Sequence, residues 1–191
     1  MENRQGNNGL THEGASAEVK TKVAKIKIRL IGQKKGSCGA ASLKMVFDYW
    51  GVSVSESEIA KIAGTSAENG TSIEGLTKAA EHFGFNATVK ENASLDDLRN
   101  YIKQEIPVIV DWFSTDDGHY SVVVDIDKTH IILADSAIKR PFLYGNTRKM
   151  SCKIFLGVWF DYIGDYPEKR EDMKLRLMIV VTPKESAEVK S

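Results

Sequence analysis

Cys38 lies in the run Gln33-Lys-Lys-Gly-Ser-Cys38-Gly-Ala-Ala-Ser-Leu-Lys-Met-Val-Phe-Asp-Tyr-Trp50, where a Gly-containing turn meets an amphipathic segment. A thiol at a helix start faces the positive end of the aligned peptide dipoles and N–H groups that lack intrahelical partners. That setting favours the thiolate, which is the nucleophilic form. Breaking an amide with a thiol requires a nucleophile, a base to take its proton, a group that orients the base, and donors for the developing oxyanion. Cys38 fits the first role. His119 fits the second, because it opens a β-rich run directly after the turn signal Asp116-Asp117-Gly118. Asp135 fits the third, standing just past the following β-rich run, Thr129–Ala134. Should these two runs pair as a hairpin, the start of one lies beside the end of the next, and His119 meets Asp135. Gln33 fits the fourth, its side-chain amide joining the backbone N–H of Cys38.

Each residue also has a plainer reading. A cysteine at a helix start is usually a small buried hydrophobe. A histidine beside a turn is often a surface residue, an aspartate there often holds the turn, and surface glutamines are common. The ordered set of Gln33, Cys38, His119 and Asp135 is what favours chemistry. Cys152 reads as a core thiol. His12, His82 and His130 are scattered, and with two cysteines they make no metal-ligand spacing, so no metal and no cofactor are expected. Trp112 and Trp159 read as core or cleft walls. Asp111, Asp116 and Asp117 read as a solvated turn without the ligand spacing of a calcium loop. Gly32-Gln-Lys-Lys-Gly36 lacks the ending of a phosphate loop. Gly36-Ser-Cys-Gly39 has its second glycine too close for a hydrolase nucleophile turn.

The elements that must position these groups follow from periodicity. Residues 1–24 are polar and aperiodic and read as a disordered arm. Lys25–Ile31 alternates and predicts a short strand. Cys38–Trp50 has an apolar stripe through Ala41, Met45 and Tyr49 and predicts a buried helix stopped by Gly51. Ser55-Glu-Ser-Glu58 predicts a capping box opening a helix that ends near Gly64. A helix is predicted over Ser72–Phe83, a strand over Asn86–Lys90, and a helix capped by Ser94 that reaches about Gln104. Ile106–Trp112, His119–Asp125 and Thr129–Ala134 predict strands joined by tight turns. A loop over about 136–147, a short helix within Ser151–Phe160 and a last strand over Lys174–Thr182 complete the chain. Helices come first and antiparallel strands after, which predicts an α+β architecture. The expected organisation is one domain over residues 25–183 with a polar tail at 184–191.

Composition excludes several function classes. The 191 residues carry 26 basic and 26 acidic side chains, so net charge is zero and no nucleic-acid partner is expected. The basic group Arg148, Lys149 and Lys153 reads as a solvated face. No run of about 18 apolar residues predicts a membrane span. Two cysteines make no disulfide framework, and the polar N-terminus has no signal-peptide pattern, so a cytoplasmic setting is expected.

The chain resembles the C39 peptidases, papain-like cysteine proteases found as N-terminal domains of bacteriocin-processing ABC transporters. The matching segments are Gln33-x4-Cys38-Gly-Ala, the helix through Tyr49-Trp-Gly51, Ile59-Ala-x-x-Ala-Gly64-Thr and Gly70-Thr-Ser72. They continue with Ala79-Ala-x-x-Phe-Gly84-Phe, Ile106-Pro-Val-Ile109, Gly118-His119-Tyr-x-Val-Val and Leu133-Ala-Asp135. The resemblance implies a papain-like fold in which an N-terminal helical half packs against a C-terminal antiparallel sheet. It implies Cys38 as nucleophile, His119 as base, Asp135 as orienting acid and Gln33 as oxyanion donor.

It further implies a peptide or protein substrate, and leaves room for a separate transporter as partner of a standalone member. Nothing in the sequence fixes an oligomeric state. Transporter-linked members cut leader peptides after paired small residues, commonly Gly-Gly. Two positions depart from the family pattern: Ser37 stands where an acidic residue is frequent, and Ser136 where proline often follows the aspartate. The alternatives are a non-catalytic peptide-binding module and a thiol acyltransferase.

Overall fold

Cys38–Tyr49 forms helix α1, and eight of its residues between Gly39 and Phe47 are buried. The computed structural model of the chain describes residues 25–115, 117–138, 147–162, 164 and 166–184. The predicted arm (1–24) and nearly all of the tail (184–191) lie outside the described residues, as does most of the 136–147 loop. Helix α2 (Glu56–Ala63) starts at the capping box that Ser55 and Glu58 make, and Gly64 ends it in a left-handed conformation. Helix α3 (Ile73–His82) is capped by Ser72, whose side chain accepts from the Gly75 N–H. Helix α4 (Leu95–Lys103) opens on a second capping box, Ser94 with Asp97.

Six strands make one antiparallel sheet: β1 (Phe85–Lys90), β2 (Val108–Ser114), β3 (Asp117–Ile126), β4 (His130–Ala134), β5 (Thr147–Ser151) and, after a small hairpin, β8 (Leu177–Pro183). Their order is β1-β8-β2-β3-β4-β5. Strand β8 thus inserts between β1 and β2, so the first strand of the helical half and the last strand of the chain are neighbours. The small hairpin is β6 (Phe160–Tyr162) with β7 (Met173–Leu175), and a short helix, α5 (Cys152–Val158), precedes it. The fold is therefore α+β, with the helical layer set against an antiparallel sheet.

Helix α1 is the hub of the core. Its Phe47 ring stacks on Phe85 at 4.3 Å and meets the edge of Phe83 at 5.7 Å. The Trp50 indole N–H donates to the Val181 carbonyl at 3.0 Å, tying the helix end to β8. These aromatic contacts bury large apolar areas and fix the axis of the helix, and with it the place of its first residue.

Three expectations fail locally. Lys25–Ile31 forms no strand; its Ile26 is buried and donates its N–H to the Val124 carbonyl, but the segment runs extended without a ladder. Thr147–Ser151, between the expected loop over about 136–147 and the expected helix within Ser151–Phe160, is strand β5. The last strand is cut in two at Arg176, whose φ of 49° breaks the extended backbone between β7 and β8.

Candidate active site

Cys38 is the first residue of α1. The preceding Ser37 makes no side-chain cap, and the first turn holds no acidic residue, so no side chain offsets the positive helix end beside the thiol. Gly39 lets this helix end sit close to the sheet. A Cβ there would come within 2.9 Å of the Thr71 Cβ and 3.2 Å of the Tyr120 ring. Tyr120 neighbours His119 on β3, so the close approach brings the thiol to the start of that strand.

The β2–β3 hairpin sets Trp112 opposite His119. The two rings meet edge to face at 5.8 Å, and His119 is 7% exposed. Strand β4 pairs with β3, placing Ala134 opposite Val122. Asp135 follows and lies beside the start of β3. His119 Nε2 and Asp135 Oδ1 are 2.8 Å apart. The other ring nitrogen is Nδ1, and Cys38 is near enough to the imidazole to shift its pKa. The ring thus lies between carboxylate and thiol.

Asp135 is fully buried and takes two further bonds, from the Ala137 N–H at 3.0 Å and from Arg148 Nε at 2.8 Å. Burial alone would raise its carboxyl, but the bonds and charge from His119, then Ala137 and Arg148, bring it down to about 2. Burial alone would push the His119 imidazole down. The hydrogen bonds and charges of Asp135 and Cys38 outweigh that and raise it to about 9. At neutral pH the ring is an imidazolium between two acidic partners.

Gln33 is half-buried just before the turn that leads into α1. Its backbone N–H donates to the Ser136 carbonyl at 3.1 Å, and its side-chain Oε1 accepts from the Ser136 hydroxyl at 2.7 Å. The structure therefore brings Cys38, His119 and Asp135 together, with a hydrogen bond between the last two, and ties Gln33 to the residue after Asp135. Among the described residues no group of three or more His, Cys, Asp or Glu side chains is arranged to hold a metal ion.

The sequence model of the peptidase C39 family matches residues 27–159, which include all four of these residues. The chain belongs to the peptidase C39 family. An uncharacterized protein of Methanothermobacter marburgensis is 37% identical to this C39 chain over 129 residues, 67% of the chain and 83% of that protein. The pediocin PA-1 transport/processing ATP-binding protein PedD of Pediococcus acidilactici is 33% identical over 102 residues, 53% of this chain but 14% of that larger protein. The crystal structure of the peptidase domain of Streptococcus ComA, a bi-functional ABC transporter, superposes with a TM-score of 0.63 at 23% identity, covering 82% of this chain and 98% of that domain. It shares the fold.

Two features of this C39 site escape the sequence reading. Arg148, read as part of a solvated basic face, holds the outer oxygen of Asp135 and lies 5.4 Å over the Trp112 ring. No local pattern signals this, because it depends on the pairing of β4 with β5. Ser136 contacts Gln33 across a separation of 103 residues. Cys152, read as a core thiol, is buried as the first residue of α5; burial pushes its thiol up, and it faces the Asp127 carbonyl at 3.8 Å rather than an imidazole.

Asp111 is also corrected: it is 1% exposed within β2 rather than part of a solvated turn. Neither of its oxygens has a hydrogen-bond partner among the described residues, and the Asp161 carboxyl on β6 is its nearest source of like charge. Two such carboxylates repel, which favours a proton on Asp111. Burial, then the Asp161 charge, raises Asp111 from an ordinary 3.8 to about 7, against the pull of Lys174 and His119. Asp161 sits where a Cβ on Gly118 would go, so the pair packs against the backbone just before His119.

A raised carboxyl contributes stability that is complete below its unfolded value and is lost as pH rises through the folded one. The loss therefore spans about pH 4 to 7. Asp111→Asn, which keeps a donor for Asp161 and cannot ionise, is expected to raise the melting temperature at pH 8 by about 3–8 °C. At pH 4 it should change little. Melting curves at the two pH values check this, and an equal shift at both would contradict a raised Asp111.

Proposed function

We propose that this C39 chain is a cysteine peptidase that uses Cys38 as nucleophile, His119 as general base and acid, and Asp135 as the group orienting His119. The observation that carries the reading is the His119–Asp135 bond, with the thiol at the start of α1 near enough to the ring to shift it. In the mechanism, the Cys38 sulfur attacks the substrate carbonyl carbon and the carbonyl π electrons move to oxygen. The backbone N–H of Cys38 and the Gln33 side-chain amide stabilise that oxyanion. His119, already an imidazolium, gives its proton to the leaving amine as the C–N bond breaks and a thioester forms. His119, now neutral, takes a proton from water, which attacks the thioester and releases the acid and the thiolate. Asp135 holds the ring by Nε2, which keeps Nδ1 toward sulfur throughout.

The peptidase unit is proposed to span residues 25–183 and to act without a cofactor. The reading calls for a reducing compartment such as the cytoplasm, since both cysteines are free thiols. A peptide substrate follows from family membership, and the processing role in the name of the pediocin relative suggests a leader-like peptide and a separate transporter as partner. No described helix is long and apolar enough to cross a membrane.

The test is mass spectrometry of extended peptides, with and without Gly-Gly, incubated with the protein in ¹⁸O-labelled water. The expected product carries one labelled oxygen in a new C-terminal carboxylate. An amide formed with added amine and no carboxylate would make the protein an acyltransferase. Tight binding with no cleavage would make it a binding module.

A further inference from the structure

A primary amide offers a donor and an acceptor on the same rotor. Turned one way, Gln33 presents its NH₂ group to a developing oxyanion; turned the other, it presents a carbonyl oxygen and repels it. The oxyanion role given to Gln33 therefore needs something that chooses the rotamer, and a half-buried glutamine beside solvent does not choose unaided.

The neighbour that does so is Ser136. The Ser136 hydroxyl lies 2.7 Å from Gln33 Oε1. That separation is the usual length of an O–H···O bond and is short for N–H···O, whose common value is about 2.9–3.0 Å. Ser136 is 2% exposed, so water does not compete for the hydroxyl. Its carbonyl also accepts the Gln33 backbone N–H at 3.1 Å, so the two residues are clamped by main chain and side chain together. Ser136 directly follows Asp135, which orients His119. One short loop thus reaches both the base and the oxyanion donor.

We infer that Ser136 is a positioning residue for the oxyanion donor: by donating to Gln33 Oε1 it turns the Gln33 NH₂ group toward the substrate carbonyl oxygen. This rests on the reading of Gln33 given above. Ser136 does not touch the substrate; it acts through Gln33. Proline at this position has no hydroxyl, so a family member with proline there must hold its glutamine by another means.

The test uses steady-state kinetics on the p-nitrophenyl ester of N-acetyl-Gly-Gly, with the full chain and its variants. Gln33→Ala is expected to lower kcat by about 10²–10³. Ser136→Ala is expected to lower kcat by about 3–10-fold with KM little changed, the size of one neutral hydrogen bond. Ser136→Thr, which keeps the hydroxyl, should restore most of that loss. In the Gln33→Ala background Ser136→Ala should have no further effect, because its target is gone.

If the wild type does not turn the ester over, or Gln33→Ala leaves kcat within about twofold, the parent reading fails. If Gln33→Ala has its full effect but Ser136→Ala is neutral, or the two losses multiply, the positioning role is wrong. A Ser136→Ala loss that Thr does not restore also overturns it. Circular dichroism melts of each variant confirm that the fold is intact.

Discussion

Cys38→Ala should abolish peptide hydrolysis, lowering kcat by at least about 10⁴-fold, while the fold stays intact. Removing the nucleophile of a coupled catalytic group leaves only the small acceleration due to binding and the oxyanion donors. The structural cost is slight. Cys38 is only half-buried at the first position of α1, alanine is the best helix former, and the core contacts of the helix lie further on at Leu43, Met45 and Phe47. The variant should bind peptide as the wild type does, and calorimetric titration against a cleavable peptide checks that. Activity within tenfold of wild type would mean that another group does the chemistry.

Asp135→Asn is expected to lower kcat by about 10²–10⁴-fold. Asparagine can turn its NH₂ toward His119 Nε2, which forces the ring proton onto the nitrogen meant for sulfur. The change also removes the charge that the Arg148 and Ala137 donors meet, so about 1–3 kcal/mol of stability should be lost as well.

The pH dependence separates the two effects. Asp135 is depressed to about 2, below its unfolded value near 3.9, so its contribution is present above about pH 4 and is lost as pH falls toward 2. His119 is raised to about 9, above an unfolded value near 6.5, so its contribution is complete below about pH 6.5 and is lost as pH rises through 9. The melting-temperature gap between wild type and Asp135→Asn should therefore be widest from about pH 4 to 6.5, close as pH falls toward 2, and narrow without closing as pH rises through 9, where Arg148 still meets the Asp135 charge. A gap that does not vary with pH would place Asp135 outside any ionic link to His119.

The parts of this fold that local chemistry dictates are legible in the sequence. Ser55 with Glu58 and Ser94 with Asp97 announce their helices because a capping box needs only residues three apart. The stripe of Cys38–Trp50 announces α1 because burial on one face imposes a helical period. The His119–Asp135 contact is legible one step further out, since it follows from pairing β3 with β4.

What stays hidden depends on long-range pairing. Thr-Arg-Lys-Met-Ser at 147–151 has no apolar alternation, because β5 is the outermost strand and is held by backbone bonds to β4. Arg148 reaches Asp135 only through that register. Asp111 looks solvated among other aspartates, yet β6 covers it with Asp161. Ile26, Ile28 and Leu30 alternate because they pack on the core, but among the described residues their backbone meets the sheet at the Val124 carbonyl without forming a ladder.

The central claim is that His119 activates the Cys38 sulfur, and alkylation by iodoacetamide at neutral pH tests it most directly, with Cys152 as an internal reference in the same sample. Peptide mass spectrometry follows both thiols in wild type and in His119→Ala. The predicted result is rapid labelling of Cys38, slow labelling of the buried Cys152, and a Cys38 rate at least about tenfold lower in His119→Ala. Equal, slow labelling of Cys38 in both proteins would contradict the account.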